Sequence, residues 1–308
     1  MISFFYNTFF LFIVLLSAPY FVHSTICQNE SDFHHSPEIY LNNSEVSGVI
    51  QEVPCNIVCP ASCNSACVNP LPQHQFYIAP TFYYNDRIRK AKYDSPSKQH
   101  GWIYGVKIGY DRIKRCRLYW GFEALYATGI PRGHKDDIKN KSRFIDQNIE
   151  LRLGYTFQMK SGWIPTFIPY IGYGYLRESN KFKRPTPVIY KLRMSFDYIA
   201  LGFLSQVYPS PAWVLGVNFK ARILLNNKAR ISEDPYGEDA KLHFEDKVQY
   251  RVELPITYRL TPYCDKFAIA FVPYYEYRHY GYQADFPYDF LDTKQNFYGC
   301  DLRLMYLF

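Results

Sequence analysis

A period-two alternation that runs to the last residue restricts this chain more than any other feature. In NFYGCDLRLMYLF (296–308), Tyr298, Cys300, Leu302, Leu304, Tyr306 and Phe308 share one face of an extended strand, while Gly299, Asp301 and Arg303 share the other. IELRLGYTF (149–157) repeats the rule, with Ile149, Leu151, Leu153, Tyr155 and Phe157 against Glu150, Arg152, Gly154 and Thr156. So does VQYRVELPITYRL (248–260), where Val248, Tyr250, Val252, Leu254, Ile256 and Tyr258 oppose Gln249, Arg251, Glu253, Thr257 and Arg259. Charge on one face and none on the other predicts β-strands that separate an apolar from a polar environment.

Ten stretches fit the pattern: about 75–84, 101–112, 115–128, 144–158, 166–177, 188–205, 211–225, 244–260, 266–278 and 295–308. Their connections alternate in length. Residues 85–100, 129–143, 178–187, 226–243 and 279–294 are long and charged, whereas DRIKR (111–115), QMKSGWIP (158–165), YPSP (208–211) and LTPYCD (260–265) are turn-like. Long loops at one end and tight turns at the other is the asymmetry of a transmembrane barrel. Strands in a bilayer must also pair every backbone group, which requires closure. The reading is an all-β, antiparallel transmembrane β-barrel of about ten strands, within a range of eight to twelve, over residues 75–308. Pro169, Pro255 and Pro273 fall inside strands and predict at least one bend or bulge. Stretch 188–205 reads as changing phase, because Lys191, Arg193, Ser195 and Asp197 are followed in the same register by Ile199, Leu201 and Phe203.

Composition agrees with a membrane boundary. The chain holds 30 Tyr and 24 Phe, yet its mean hydropathy is −0.27. A soluble sandwich core has little use for so many tyrosines, whereas aromatic girdles do. Residues 1–24 contain no charged side chain, and the apolar run Phe9–Ala18 followed by Ser24 reads as a signal peptide. The alternative is an uncleaved anchor, since no Lys or Arg precedes the run. Beyond residue 25 no apolar stretch is long enough for a spanning helix. The location implied is the cell outer membrane.

Residues 25–74 form a polar segment in which Cys55, Cys59, Cys63 and Cys67 follow a C-x3-C-x3-C-x3-C spacing. In an exported chain these read as disulfide cross-links, within the molecule, to a second copy or to other envelope proteins; zinc binding and unpaired thiols are the alternatives. Cys116 and Cys264 fall at short turns on the side of this segment and join the disulfide candidates. Cys300 faces outward and is expected free.

The inward register assigns Lys107, Arg117, Arg152, Lys191, Arg193, Lys220, Arg222, Arg251, Arg259, Arg278 and Arg303 to the lumen, against Glu123, Glu150, Asp197, Glu253, Glu276 and Asp301. An open pore lined this way would favour anions. In a ten-strand barrel the same charges could instead pair into a plug. No Gly-rich phosphate loop, H-E-x-x-H or G-x-S-x-G occurs, so no cofactor, metal or catalytic site is expected. His134 with Asp136 and Asp137, and His243 with Asp246, read as solvated loop charges. The formal net charge of +7 is dispersed and gives no nucleic-acid footprint; basic residues near the outer leaflet suit membrane lipid and lipopolysaccharide.

The final strand resembles the C-terminal assembly signal of bacterial outer-membrane proteins, carried by Leu302, Leu304, Tyr306 and Phe308. The resemblance implies capture by a barrel-assembly machinery through edge pairing. CNIVCPASCNSACVNP before FYIAPTFYY, then GWIYGVKIGYD and RLYWGFEALYATG, then LRLMYLF make residues 55–308 resemble the chlamydial-type major-outer-membrane-protein-like porins. Membership would imply channel activity, that is, passive diffusion of ions and small hydrophilic solutes, and a disulfide-linked envelope. A closed structural or adhesive barrel is the competing expectation, and a barrel enzyme with a loop-rim site the third.

Overall fold

A computed structural model describes residues 74–90, 95–114, 116–158, 166–187, 189–235, 237–245, 247–260, 266–284 and 289–308. The expected signal peptide, the four-cysteine run and Cys264 lie outside these residues. Ten antiparallel strands follow one another: β1 (His74–Lys90), β2 (Ser97–Arg112), β3 (Leu118–Gly129), β4 (Ile138–Tyr155), β5 (Thr166–Lys183), β6 (Lys191–Val207), β7 (Trp213–Ser232), β8 (Gln249–Glu253, resumed as Ile256–Arg259), β9 (Phe267–Tyr280) and β10 (Asp292–Leu307). Each pairs with its sequence neighbour, and β10 pairs back onto β1 from Gln75↔Leu307 to Lys90↔Asp292, so the sheet closes. Short strands Arg132–Lys135 and Ala240–Leu242 add to the wall at the end that carries the longer connections.

The alternation becomes inside and outside as expected. Cross-strand neighbours on the outer face form three rows around β2, β1, β10 and β9. Trp102, Tyr84, Tyr298 and Tyr275 make one, Ile108, Ile78, Leu304 and Ile269 the next, and Tyr110, Phe76, Tyr306 and Phe267 the third. Aliphatic between aromatic is the layering of a bilayer-facing wall. The ten steps from Tyr298 to Phe308, at roughly 3.3 Å each and a tilt of about 40°, give a belt about 25 Å tall.

Pro255 splits β8 between Glu253 and Ile256, and Pro169 keeps Phe203 on one side but interrupts the ladder to β4 between Gly154↔Tyr170 and Phe157↔Phe167; Pro273 keeps its partner Cys300 on β10. Around the break in β8 Leu254 donates to Pro273 and Gly216 to Pro255, so the backbone stays bonded. β7 carries a bulge opposite Ser195–Asp197, where Asn226 takes φ 50°.

Two expectations are corrected. Several strands run further than the alternation suggested, β1 to Lys90, β5 to Lys183 and β7 to Ser232, so the connections at that end are shorter than expected. The wall continues above the belt, where its outer face carries charged and polar side chains such as Arg177, Lys181, Lys228 and Arg230 and the apolar signal disappears. β6 does not change phase either. Leu192, Met194, Phe196 and Tyr198 all point inward into an apolar cluster with Leu242, Phe244 and Phe290, so Lys191, Arg193, Ser195 and Asp197 are on the outer face.

Candidate functional site

The lumen is filled by side chains that the alternation turns inward. Tyrosines are positioned there by glycines on the facing strand. A Cβ at Gly109 would stand 2.3 Å from the Tyr77 ring, and one at Gly174 would stand 2.3 Å from the Tyr198 ring. With those rings laid flat, Tyr77 donates to Glu123 at 3.0 Å and Tyr198 to Glu150 at 2.8 Å. Arg303 sits 4.6 Å above Tyr77 and Arg222 5.0 Å above Tyr198, cation against π face.

Ion pairs then cross the barrel. Lys107 on β2 reaches Asp301 on β10 at 2.6 Å and Glu253 on β8 at 3.8 Å. Lys220 on β7 holds Glu150 on β4 at 2.8 Å and Glu123 on β3 at 3.7 Å. Arg251 binds Glu253 and Glu276 at 2.7 and 2.6 Å, and Arg303 joins Glu253 at 3.0 Å. Arg278 on β9 spans to the opposite wall, donating to Asp146 on β4 and Glu178 on β5 at 3.0 and 2.7 Å, and turns to Glu276 at 2.6 Å. Arg87 adds a contact to Glu178 at 3.4 Å, and Arg152 one to Asp111 at 3.4 Å. Lys220 and Glu150 are both 0% exposed. Isolated buried charges are costly, so each of these groups depends on its partners.

Thirteen of the expected lumen residues are brought together here: Lys107, Glu123, Glu150, Arg152, Lys220, Arg222, Arg251, Glu253, Arg259, Glu276, Arg278, Asp301 and Arg303, all buried. Four are not. Arg117 is exposed in the turn before β3, where strand alternation has ended, and Arg193 is on the outer face of β6. Lys191 and Asp197 share that outer face. The alternation also passed over Arg87, Asp111, Asp146 and Glu178, although each continues the inward phase of its strand. Among the described residues the buried charges are ten cations (Arg87, Arg89, Lys107, Arg152, Lys220, Arg222, Arg251, Arg259, Arg278, Arg303) and eight anions (Asp111, Glu123, Asp146, Glu150, Glu178, Glu253, Glu276, Asp301). The cation excess is thus two, smaller than the sequence register implied.

Both ends of this lattice are apolar. Toward the longer connections lies the cluster of Phe196, Phe244, Tyr280 and Phe290; toward the short turns, Ile113, Tyr119, Ile168 and Tyr170 pack together. Cys116, in the β2–β3 turn, is disulfide-bonded, and Cys300 is free. Leu302, Leu304 and Phe308 are half exposed on the outer face, and the backbones of His74 and Phe308 bond to each other at the seam. No ion pair or hydrogen bond among the described residues joins His134 to Asp136 or Asp137, and Asp246 lies outside them. No metal-binding group of three or more His, Cys, Asp or Glu occurs among the described residues.

No family model and no curated protein matches the sequence. The chain is similar to the solved structure of the outer membrane protease OmpT from Escherichia coli, at 11% identity and TM-score 0.45, covering 78% of this chain and 100% of that one. It is similar to the translocator domain of autotransporter NalP from Neisseria meningitidis (9% identity, TM-score 0.41, 78% and 91% covered). It is also similar to the transport unit of autotransporter AIDA-I from Escherichia coli (8% identity, TM-score 0.40, 80% and 94% covered).

Proposed function

We propose that this chain is an outer-membrane β-barrel with a closed lumen, serving as a structural or adhesive element that holds its longer connections above the membrane. The observation that carries this reading is the set of ion pairs joining opposite walls, above all Arg278 to Asp146 and Lys107 to Glu253. A hydrated ion could pass only if several such contacts opened together. Breaking one buried pair by removing a partner costs about 3–5 kcal/mol, so concerted opening is rare. The membrane location is supported by the three-row belt, and the amphipathic last strand suits capture by an assembly machinery through edge pairing before the sheet closes.

A second reading, passive diffusion of anions and small hydrophilic solutes, has two supports. One is the resemblance to chlamydial-type porins, which the sequence alone carries; the other is the two-cation excess in the lumen. Planar-bilayer recording on refolded full chain separates the two. Silence at protein loads where a known porin conducts is the expected result. Discrete conductance steps with an anion-selective reversal potential overturn the closed reading.

A further inference from the structure

Above the belt, the outer wall of β4–β7 is a lattice of like charges. Residues standing directly opposite one another there are Lys141 and Lys183, Arg143 and Lys181, Lys181 and Lys191, and Arg193 and Arg230. The short strand Arg132–Lys135 extends the lattice by setting Arg132 opposite Lys141. Like charges at directly opposed positions of a sheet destabilise it. Two described carboxylates answer part of the lattice: Glu233 pairs with Lys181 and Lys191, and Asp239 with Arg230. No ion pair among the described residues reaches Arg132, Lys141, Arg143 or Lys183. On the far wall at the same height the signs are mixed, with His279 bonded to Asp292 and Lys90 opposite Asp292.

A second observation gives this surface a shape. A groove of about 670 Å³ opens on the outer wall, lined by Trp102, Tyr104, Ile130, Arg132, Arg143 and Lys183. Its aromatic wall belongs to the upper girdle of the apolar belt, and its cations belong to the charged lattice. Guanidinium groups match phosphate oxygens two at a time. An occupant must therefore present an anion to the rim and an apolar tail to Trp102 and Tyr104, continuous with the belt below. A soluble anion satisfies the first condition and leaves the second unmet; a phosphorylated lipid satisfies both.

We propose that this groove, with the cationic lattice beside it, binds the phosphorylated headgroup of a lipid in the leaflet at the long-connection end. The proposal rests on the membrane-spanning reading above. That reading is checked separately, by flotation of the refolded chain with pure phosphatidylcholine vesicles.

The test is native mass spectrometry of the full chain in detergent, titrated with bisphosphorylated lipid A or with phosphatidylcholine. Wild type is expected to retain lipid A at least tenfold more tightly. Arg132→Gln/Arg143→Gln/Lys183→Gln is expected to fall to the phosphatidylcholine level, while Lys90→Gln/Lys294→Gln on the far wall keeps the preference. Millimolar inorganic phosphate is expected to leave the bound lipid in place. A wild type without preference overturns the proposal whether or not the triple variant folds. So do a triple variant that binds like wild type, an equal loss in the far-wall variant, or full displacement by inorganic phosphate, which marks a site for soluble anions.

Discussion

The Arg278→Met variant probes the lattice at its most connected point. Arg278 gives Asp146 two hydrogen bonds, at 3.1 and 3.0 Å, and one each to Glu178 and Glu276 at 2.7 and 2.6 Å. Once it is gone, Glu178 retains Arg87, Tyr280 and Gln295, and Glu276 retains Arg222 and Arg251. Asp146 retains the Tyr83 hydroxyl alone, at 3.0 Å, and no cation. The loss therefore concentrates on one carboxylate, and about 3–5 kcal/mol is expected. Asp146→Asn alone leaves Arg278 with two carboxylates and costs about 1–3 kcal/mol. If the reasoning holds, the double variant costs less than the sum of the singles, with a coupling on the order of 2 kcal/mol. Urea unfolding in phosphatidylcholine vesicles, followed by tryptophan fluorescence and by heat-modified gel mobility, measures all three. Additivity within about 0.5 kcal/mol, or an Arg278→Met cost under about 1 kcal/mol, refutes it.

Three further outcomes are expected. Leu304→Arg places a charge in the middle row of the belt and should cost about 2–4 kcal/mol in vesicle-based unfolding, whereas a neutral result would remove Leu304 from hydrocarbon. Gly109→Ala drives a methyl into the Tyr77 ring and its bond to Glu123, for about 1–3 kcal/mol by the same assay; an unchanged midpoint contradicts the flat-ring geometry. Glu233, just past the C-terminal end of β7, is held below the ordinary glutamate range by hydrogen bonding from Lys181 and then Lys191. Its folded value lies below its unfolded one, so its contribution is present above the unfolded value and lost as pH falls through the folded one. Carbon NMR of its carboxyl should show a low midpoint, lost in Lys181→Gln/Lys191→Gln; an ordinary midpoint in wild type contradicts the pairing.

Much of the barrel is legible from residues alone, because a wall between hydrocarbon and a charged lumen imposes a strict two-residue rhythm. Ile149 to Phe157 and Tyr298 to Phe308 obey it without exception. The rule that charge points inward holds only within the belt. On β6 the outer face carries Leu201 and Phe203 inside it and Arg193 and Lys191 above it, so one register looks like two. The rhythm puts Arg117 in the lumen only by extending into a turn. Asp146 and Glu178 escape it because they lie at the upper limits of the alternating stretches, 144–158 and 166–177. What no local pattern reveals is which charges meet: Arg278 and Asp146 are 132 residues apart and meet because their strands are half a circumference apart in a ring of ten.

The boundary between Tyr175 and Arg177 on β5 has a consequence for where such a barrel can reside. Aromatic rings and fixed cations are two residues apart on a wall too rigid to slide one past the other. Tilting or stretching cannot add apolar height to a closed sheet as it can to a single helix. In a bilayer much thicker than about 25 Å, the hydrocarbon would rise over Arg177, Arg143 and Lys181, at a cost that grows with depth toward about 2–4 kcal/mol per charge at the midplane. The lipid must thin locally around β4–β7, or the molecule must partition into thinner membrane. The wall thus acts as a thickness gauge, reading only one side of the circumference.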